Sequence, residues 1–420
     1  MTSERHAYIY IQLAGTLNTV PAALLKVEKL ADGTFVGRFR YGDRYLERKD
    51  AVAFDPFRLP LGETVHEFTK LKGIPGAVRD ASPDAWGRRV IEHKLKRSPG
   101  DLEEIDYLLN GPQDGAGNLS FGADVDPPAR KRRHNQTHQL AKLIEAADAI
   151  EEGKRVPEHI LEQLEPGTSM GGARPKATIE EANRLWIGKF PQRGDRFNLQ
   201  RVEYATLELA RRCGIDVCNA TLRSVAGHDV LMLERFDRER ADGGYLRLGL
   251  VSGLTILDSD DNYLDRERWS YPLLADNLRR WSKEPDKDRT ELFRRIVFNA
   301  AVTNNDDHPR NHAMRHTAHG WRLTPAYDLV PAPVVSLEHR DLALTIGAFG
   351  RTASIYNLIS QCDRFGLTAA AARKEIEIVT STVRGWRDRF RVSGVSEKDV
   401  EFIAPAFLPE CFFFEKPFQD

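Results

Sequence analysis

Apolar residues change their period along this chain, and that change restricts the fold more than any single motif. Over residues 7–54 they come in short alternating runs such as Ala7-Tyr-Ile-Tyr-Ile-Gln-Leu13, broken by Gly and Asp, which read as strands of a small antiparallel sheet. Helical spacing takes over across 79–109, with Trp86, Val90, Ile91 and Leu95 on one side and Pro83 where a first helical turn tolerates it. Leu140, Leu143, Ile144, Ala147 and Ile150 then mark an amphipathic helix. Strand-like segments follow at 177–180, 184–190, 221–225 and 229–233, interrupted by a helix over 202–213 that Gly214 ends. From about residue 264 nearly everything reads as helix or loop, including 292–301, 369–390 and 396–407. Sheet-rich sequence followed by helix-rich sequence, with no repeated βαβ unit, predicts an α+β fold and excludes a doubly wound one.

The 420 residues suggest two or three folded units at roughly 100–200 residues each. Residues 124–138 hold two prolines, the basic run Arg130–Arg133 and almost nothing apolar, so they predict a linker or exposed loop. The expected organisation is 1–123, an N-terminal α+β subdomain; 124–138, the linker; 139–238, a second portion holding the later strands; and 239–420, a helical lobe. With 61 Lys+Arg against 62 Asp+Glu the net charge is −1, which excludes a bulk polycation held on nucleic acid or membrane by charge alone. Four scattered cysteines, Cys213, Cys218, Cys362 and Cys411, form neither a disulfide framework nor a Cys-x-x-Cys pair. Without an apolar N-terminal stretch or an 18-residue apolar run, the expected location is the cytoplasm.

The most informative stretch is Asn304-Asn-Asp-Asp-His-Pro-Arg-Asn311. Phosphoryl transfer needs a carboxylate to orient the attacking hydroxyl and an amide oxygen nearby to hold magnesium, and Asp-x-x-x-x-Asn supplies both. Asp306 and Asn311 have that spacing; Asp307 does not and is read as an electrostatic neighbour. The same residue types also suit a polar turn after a helix. Downstream, a short hairpin around Ala318-His-Gly320 leads to Asp328, where a kinase places its second magnesium-binding aspartate, and where an aspartate could equally cap a helix. Upstream lies Gly167-Thr-Ser-Met-Gly-Gly-Ala-Arg-Pro-Lys176, whose adjacent glycines let backbone N–H groups approach polyphosphate oxygens; a plain glycine turn is the alternative. Lys189 ends an apolar run and is expected to face a cleft, with Glu203 on the next helix as a candidate partner. Glycine loop, strand lysine, helix glutamate, Asp-x-x-x-x-Asn, hairpin and aspartate follow one another in the order a bilobal kinase requires.

On these residues the chain resembles the HipA family of bacterial toxin Ser/Thr kinases. The resemblance rests on Ser169-Met-Gly-Gly-Ala-Arg-Pro-Lys176, Leu233-Glu-Arg-Phe-Asp-Arg238, Asn305-Asp-Asp-His-Pro-Arg-Asn311 and Leu323-Thr-Pro-Ala-Tyr-Asp328. It extends to Pro83-Asp-Ala-Trp-Gly-Arg88 and Gly117-Asn-Leu-Ser-Phe-Gly122, and more loosely to 342–347 and Trp386-Arg387. It implies a bilobal α+β protein-kinase-like fold with a HipA-type N-terminal subdomain and a mostly helical C-terminal lobe.

By the same resemblance, ATP phosphates would lie under Gly171, Gly172, Ala173, Arg174, Pro175 and Lys176 and against Lys189, with Glu234, Arg235 and Phe236 meeting the adenine. Asp306 would be the catalytic base, Asn311 and Asp328 the Mg2+ ligands, and His308 and Tyr327 further lining. Ser169 matches the serine that such kinases autophosphorylate, and added negative charge there would disfavour the loop conformation that receives ATP. Arg174-Pro175 departs from the family's usual residues before the loop lysine. The implied partners are a HipB-like DNA-binding antitoxin, DNA through that complex, and a protein substrate of the kind represented by aminoacyl-tRNA synthetases. Two other readings are a DNA-bound regulatory scaffold acting with an antitoxin, in which Arg130–Arg133 would matter, and a small-molecule phosphotransferase sharing the Asp-x-x-x-x-Asn logic.

Overall fold

A computed structural model describes residues 3–128, 134–164, 172–332 and 340–416. The chain divides into two compact units: Met1–Arg193 with Leu233–Thr255 and Arg315–His319, and Gly194–Met232 with Ile256–Met314 and Gly320–Asp420. The proline-rich stretch at 124–138 therefore lies inside the first unit. Arg130–Arg133 fall outside the described residues.

In the first unit, β1 (Ser3–Gln12), β2 (Thr19–Lys29), β3 (Phe35–Tyr41), β4 (His66–Phe68) and β5 (Leu119–Gly122) form an antiparallel sheet of order β4-β3-β2-β1-β5. Alternation along β1 buries Ala7, Ile9 and Ile11 on one face. Phe39, Tyr41 and Phe54 pack edge to face with centroids 4.9 and 5.0 Å apart, and the Tyr41 hydroxyl donates to the Leu59 carbonyl at 2.8 Å. A β carbon on Gly37 would lie 1.7 Å from the Gly73 carbonyl oxygen, so this crossing of backbones admits only glycine.

The helical spacing in 79–109 resolves into three short helices, Gly76–Ala81, Ala85–Leu95 and Glu104–Leu109. Asp84 caps the second, accepting from the Gly87 N–H at 2.9 Å, so Pro83 precedes the cap instead of entering the first turn. Trp86, Val90 and Ile91 are buried as expected, but Leu95, nine residues after Trp86 and so about half a turn round the helix from it, is exposed. The amphipathic helix spans Leu140–Glu151. The unit's second set of strands has β6 (Asn135–Gln136) parallel to β7 (Lys176–Glu181), which pairs antiparallel with β8 (Arg184–Lys189).

The second unit is built on the helix Pro285–Val302, which packs against Tyr271–Trp281 and Ala369–Val383. Leu292, Phe293, Ile296, Val297 and Phe298 are all buried there, so this helix is the unit's core. The single helix expected over 369–390 breaks at Gly385 into Ala369–Val383 and Trp386–Val392. Glu203 lies in the second turn of the helix Leu199–Arg212, which Asn198 caps, and does not open it. The four cysteines are buried, and none is in a disulfide. Among the described residues no helix is long and apolar enough to cross a membrane.

Candidate active site

The helix Pro285–Val302 delivers the chain into the 304–311 loop through Thr303, which adopts a left-handed conformation at φ +51. The Thr303 hydroxyl accepts from Arg340 at 2.8 Å and donates to the Ala406 carbonyl at 2.5 Å, while the Asn304 N–H returns to the Asn299 carbonyl at 2.9 Å. This leaves the loop's entry no freedom to drift. Within the loop the His308 N–H donates to the Asp306 carbonyl at 2.8 Å, and the Asn311 N–H to the His308 carbonyl at 2.9 Å.

Two adjacent aspartates have opposite environments. Asp307 is buried, and its Oδ2 accepts from Tyr271, from Asn299 at 2.5 Å and from His312 at 2.9 Å. It is an anchor. Asp306 points the other way: its residue is exposed, and among the described residues its carboxylate accepts no hydrogen bond. Crowding by protein atoms, together with the like charges of Asp328 and Asp307, raises its pKa from the ordinary carboxylate value, with His308 opposing the shift. A carboxylate left open and raised in this way has the character of a proton acceptor.

Asn311 is buried and uses its amide N–H to reach the Asp306 carbonyl at 3.3 Å. Its Oδ1 has no hydrogen-bond partner among the described residues. A buried amide oxygen without a donor is costly unless something fills it, and a hard cation would do so. Asp328 adopts φ +58, held from upstream by Ala326, whose N–H donates to the Asp216 carbonyl at 2.7 Å and whose carbonyl accepts from Cys218 at 3.0 Å. Tyr327 donates its hydroxyl to the Arg310 carbonyl at 2.8 Å, which ties the Asp328 segment to the loop. The expected hairpin is present as Ala313–Thr317 and Gly320–Leu323, and the segment after Asp328 starts no helix in 329–332, so Asp328 is not a cap there. Among the described residues no three His, Cys, Asp or Glu side chains cluster as a metal site.

In the first unit, Ser169 and Gly171 lie outside the described residues. Gly172 takes φ +98, and Ala173, Arg174 and Pro175 lead into β7, with the Pro175 carbonyl accepting from Phe190 at 2.9 Å. Lys176 and Lys189 stand directly opposite each other in the β7–β8 register, so both occupy one face of the sheet. Lys176 does not reach freely outward: its ammonium is 2.6 Å from Asp84 Oδ2 and 3.0 Å from the Gly172 carbonyl, and its own carbonyl accepts from Trp86 Nε1 at 3.0 Å. Glu234 binds Arg184 at 2.8 Å. The Arg235 side chain is wholly buried between Asp237 and Asp114, and its N–H donates to the Leu185 carbonyl at 2.8 Å, so its role is to hold the segment. Phe236 is buried, and its carbonyl accepts from Arg315 at 2.9 Å.

Sequence reasoning missed Asp84 as the partner of Lys176, and Tyr271, Asn299 and His312 as the hands on Asp307. Asp84 stood inside a quoted motif; the other three carried no local signal except His312, which adjoins Asn311.

Taken together, an α+β fold with this loop, hairpin and lysine-bearing strand pair is of the protein-kinase-like class. A model of the HipA-like C-terminal domain matches residues 168–386, just over half of the chain, and the chain belongs to the HipA family. It is 29% identical over 344 residues to "Putative kinase Y4mE" of Sinorhizobium fredii, covering 75% of this chain and 79% of that protein. It is also 26% identical over 182 residues to "Serine/threonine-protein kinase toxin HipA" of Shewanella oneidensis, 39% of this chain and 42% of that one. The fold matches the Shewanella oneidensis HipA, solved with HipB and its operator DNA, at a TM-score of 0.67 and 19% identity, over 94% of both chains.

Proposed function

We propose that the chain is an ATP- and Mg2+-dependent Ser/Thr protein kinase of the HipA type, acting in the cytoplasm as the toxin of a toxin–antitoxin pair. The observation that carries this reading is the division of labour at 306 and 307: one carboxylate anchored by three donors, its neighbour open and raised. In this reading Asp306 orients the substrate hydroxyl and takes its proton. Asn311 and Asp328 hold Mg2+, for which the unpartnered Asn311 Oδ1 is a fitting ligand; when bound, the ion supplies neutralisation of phosphate charge. His308 tempers the Asp306 carboxylate, and Tyr327 keeps the loop and Asp328 in step.

Gly171–Lys176 and Lys189 receive the ATP phosphates, with Asp84 keeping Lys176 placed. The backbone at Glu234 and Phe236 meets the adenine, and Arg235 braces it. Ser169 is the site of autophosphorylation. Residues 1–123, 139–238 and 239–420 are assigned as HipA-type N-terminal, nucleotide-binding and catalytic portions, with 124–138 between the first two. The solved relative's company supports a HipB-like antitoxin as partner and DNA contact through it; a protein hydroxyl is the acceptor.

Intact-mass measurement of the purified chain incubated with ATP and Mg2+, beside Asp306→Asn, tests this. The wild type should gain one phosphate on Ser169 and the variant none. Equal phosphate on both would remove Asp306 as the base.

A further inference from the structure

A cavity of about 800 Å3 lies wholly within the first unit, apart from the two lysines assigned to the ATP phosphates, although two of its lining residues, Asp114 and Leu185, also touch Arg235 of the segment assigned to adenine. Leu185 and Glu180, which line it, are paired near the turn of the β7–β8 hairpin, four residues along from the Lys176–Lys189 pair. At about 3.3 Å per residue that separates the two places by about 13 Å. Its other walls include Gln12, Asp114, Arg240, Tyr245 and Arg247.

Behind one wall is an unusual concentration of charge. Arg235 and Arg238 are completely buried with Asp237, and both also pair with Asp114. Arg247 joins them from the cavity side, but all its side-chain hydrogen bonds go to neutral backbone carbonyls, those of Gln113, Gly115, Gly117 and Leu119, at 2.7 to 3.3 Å. Three guanidiniums thus share two carboxylates, and the cation left over is the one on the cavity wall. Burial and the neighbouring Arg238 push the Arg247 pKa down to about 9, the direction expected when positive charge is in excess.

At the rim, Arg240 is exposed. It is steadied by the Gly244 carbonyl at 3.0 Å and by the Tyr245 ring 5.2 Å away, and among the described residues it has no carboxylate partner. The lining carboxylate Glu180 is occupied by the Tyr245 hydroxyl at 2.6 Å and by Gln136 at 3.2 Å. A buried cation in excess is costly until an anion joins it, and a guanidinium with unused donors at the mouth is the group best shaped to bring in a carboxylate or phosphate.

We propose that this cavity is a second ligand site, taking a small organic anion by its carboxylate or phosphate group, with Arg240 as the direct contact and the Arg247 cluster supplying the field. The site is independent of the kinase reading.

Calorimetric titration of the full chain with citrate and with inorganic phosphate, repeated on Arg240→Gln and Lys189→Met, decides it. At least one probe should bind the wild type, with affinity falling about tenfold or more in Arg240→Gln, the loss of a charge-assisted contact, and unchanged in Lys189→Met. Citrate alone binding would mark a carboxylate ligand, and phosphate alone a phosphorylated one. Arg240 is exposed, so its variant should melt with the wild type. Binding of neither probe to the wild type, affinity unchanged in Arg240→Gln, or a loss in Lys189→Met would overturn the proposal.

Discussion

Lys176 and Asp84, ninety-two positions apart, meet as a buried ion pair at 2.6 Å with each side chain 3% exposed. Asp84 is at the same time the cap of the helix Ala85–Leu95. One carboxylate therefore joins the start of a helix to the start of the strand that follows the glycine loop. Removing one member of such a pair strands a charge away from water, so Asp84→Ala should lower stability by roughly 3–5 kcal/mol. Lys176→Met should cost a similar amount, and the double variant less than the sum. Denaturant midpoints for the three variants provide the check, and strict additivity would deny the coupling.

Asp307→Asn should destabilise and Asp306→Asn should not. The first breaks up a buried acceptor serving Tyr271, Asn299 and His312, at a cost on the order of 1–3 kcal/mol. The second alters an exposed carboxylate that no donor holds, yet should slow phosphoryl transfer roughly 10²–10⁴-fold. Thermal melts read beside transfer rates separate the two effects.

Activity should be lost on acidification at a pH above that expected for an ordinary aspartate. The raised Asp306 takes up its proton early as pH falls, and the protonated form cannot accept one from a substrate. His308 opposes the shift, so His308→Gln should move the acid limb of the rate profile to higher pH. A limb that stays in place in that variant would show that another group sets it.

Asp55 makes stability itself depend on pH. It is completely buried, its Oδ1 accepts from the Phe57 and Arg58 N–H groups at 2.7 and 3.3 Å, and burial pushes its pKa up to about 7. Because the folded value lies above the unfolded one, the stabilising contribution is complete below about pH 4 and is lost as pH rises through about 7. Asp55→Asn should flatten this part of the stability curve, which on linkage amounts to a few kcal/mol at most. Denaturant unfolding at pH 5 and pH 8 measures it, and an unchanged slope in the variant would assign the dependence elsewhere.

Asn311→Ala should lower stability by only about 1 kcal/mol, since it removes one long hydrogen bond, from Nδ2 to the Asp306 carbonyl at 3.3 Å, while the lost Oδ1 has no partner to abandon. It should weaken ATP binding only when Mg2+ is present. Equal weakening with and without the ion would make Asn311 a nucleotide contact instead.

Much of this molecule could be read along the chain because the features concerned are local. A 3.6-residue period identified the helix Leu140–Glu151, alternation identified β1, β7 and β8, and Asp-x-x-x-x-Asn identified the loop at 304–311. Even the left-handed turn into that loop follows a helix that the spacing at 292–301 already indicated. Where the spacing misled, at Leu95, the 3.6-residue turn had already carried the side chain away from the face that Trp86 and Val90 bury.

What no local pattern could supply was which charged group meets which. Asp306 and Asp307 are neighbours with identical side chains, and only the arrival of Tyr271, Asn299 and His312 makes one an anchor and leaves the other open. Lys176 reads as a free cation until Asp84 reaches it. That Asp114 and Asp237 enclose the Arg235 side chain is nowhere written in the segment that holds it. Backbone form follows from short-range sterics and hydrophobic period, which the residue order carries directly. Protonation, pairing and exposure depend on dielectric surroundings and on groups tens of residues away, and those exist only once the chain has folded.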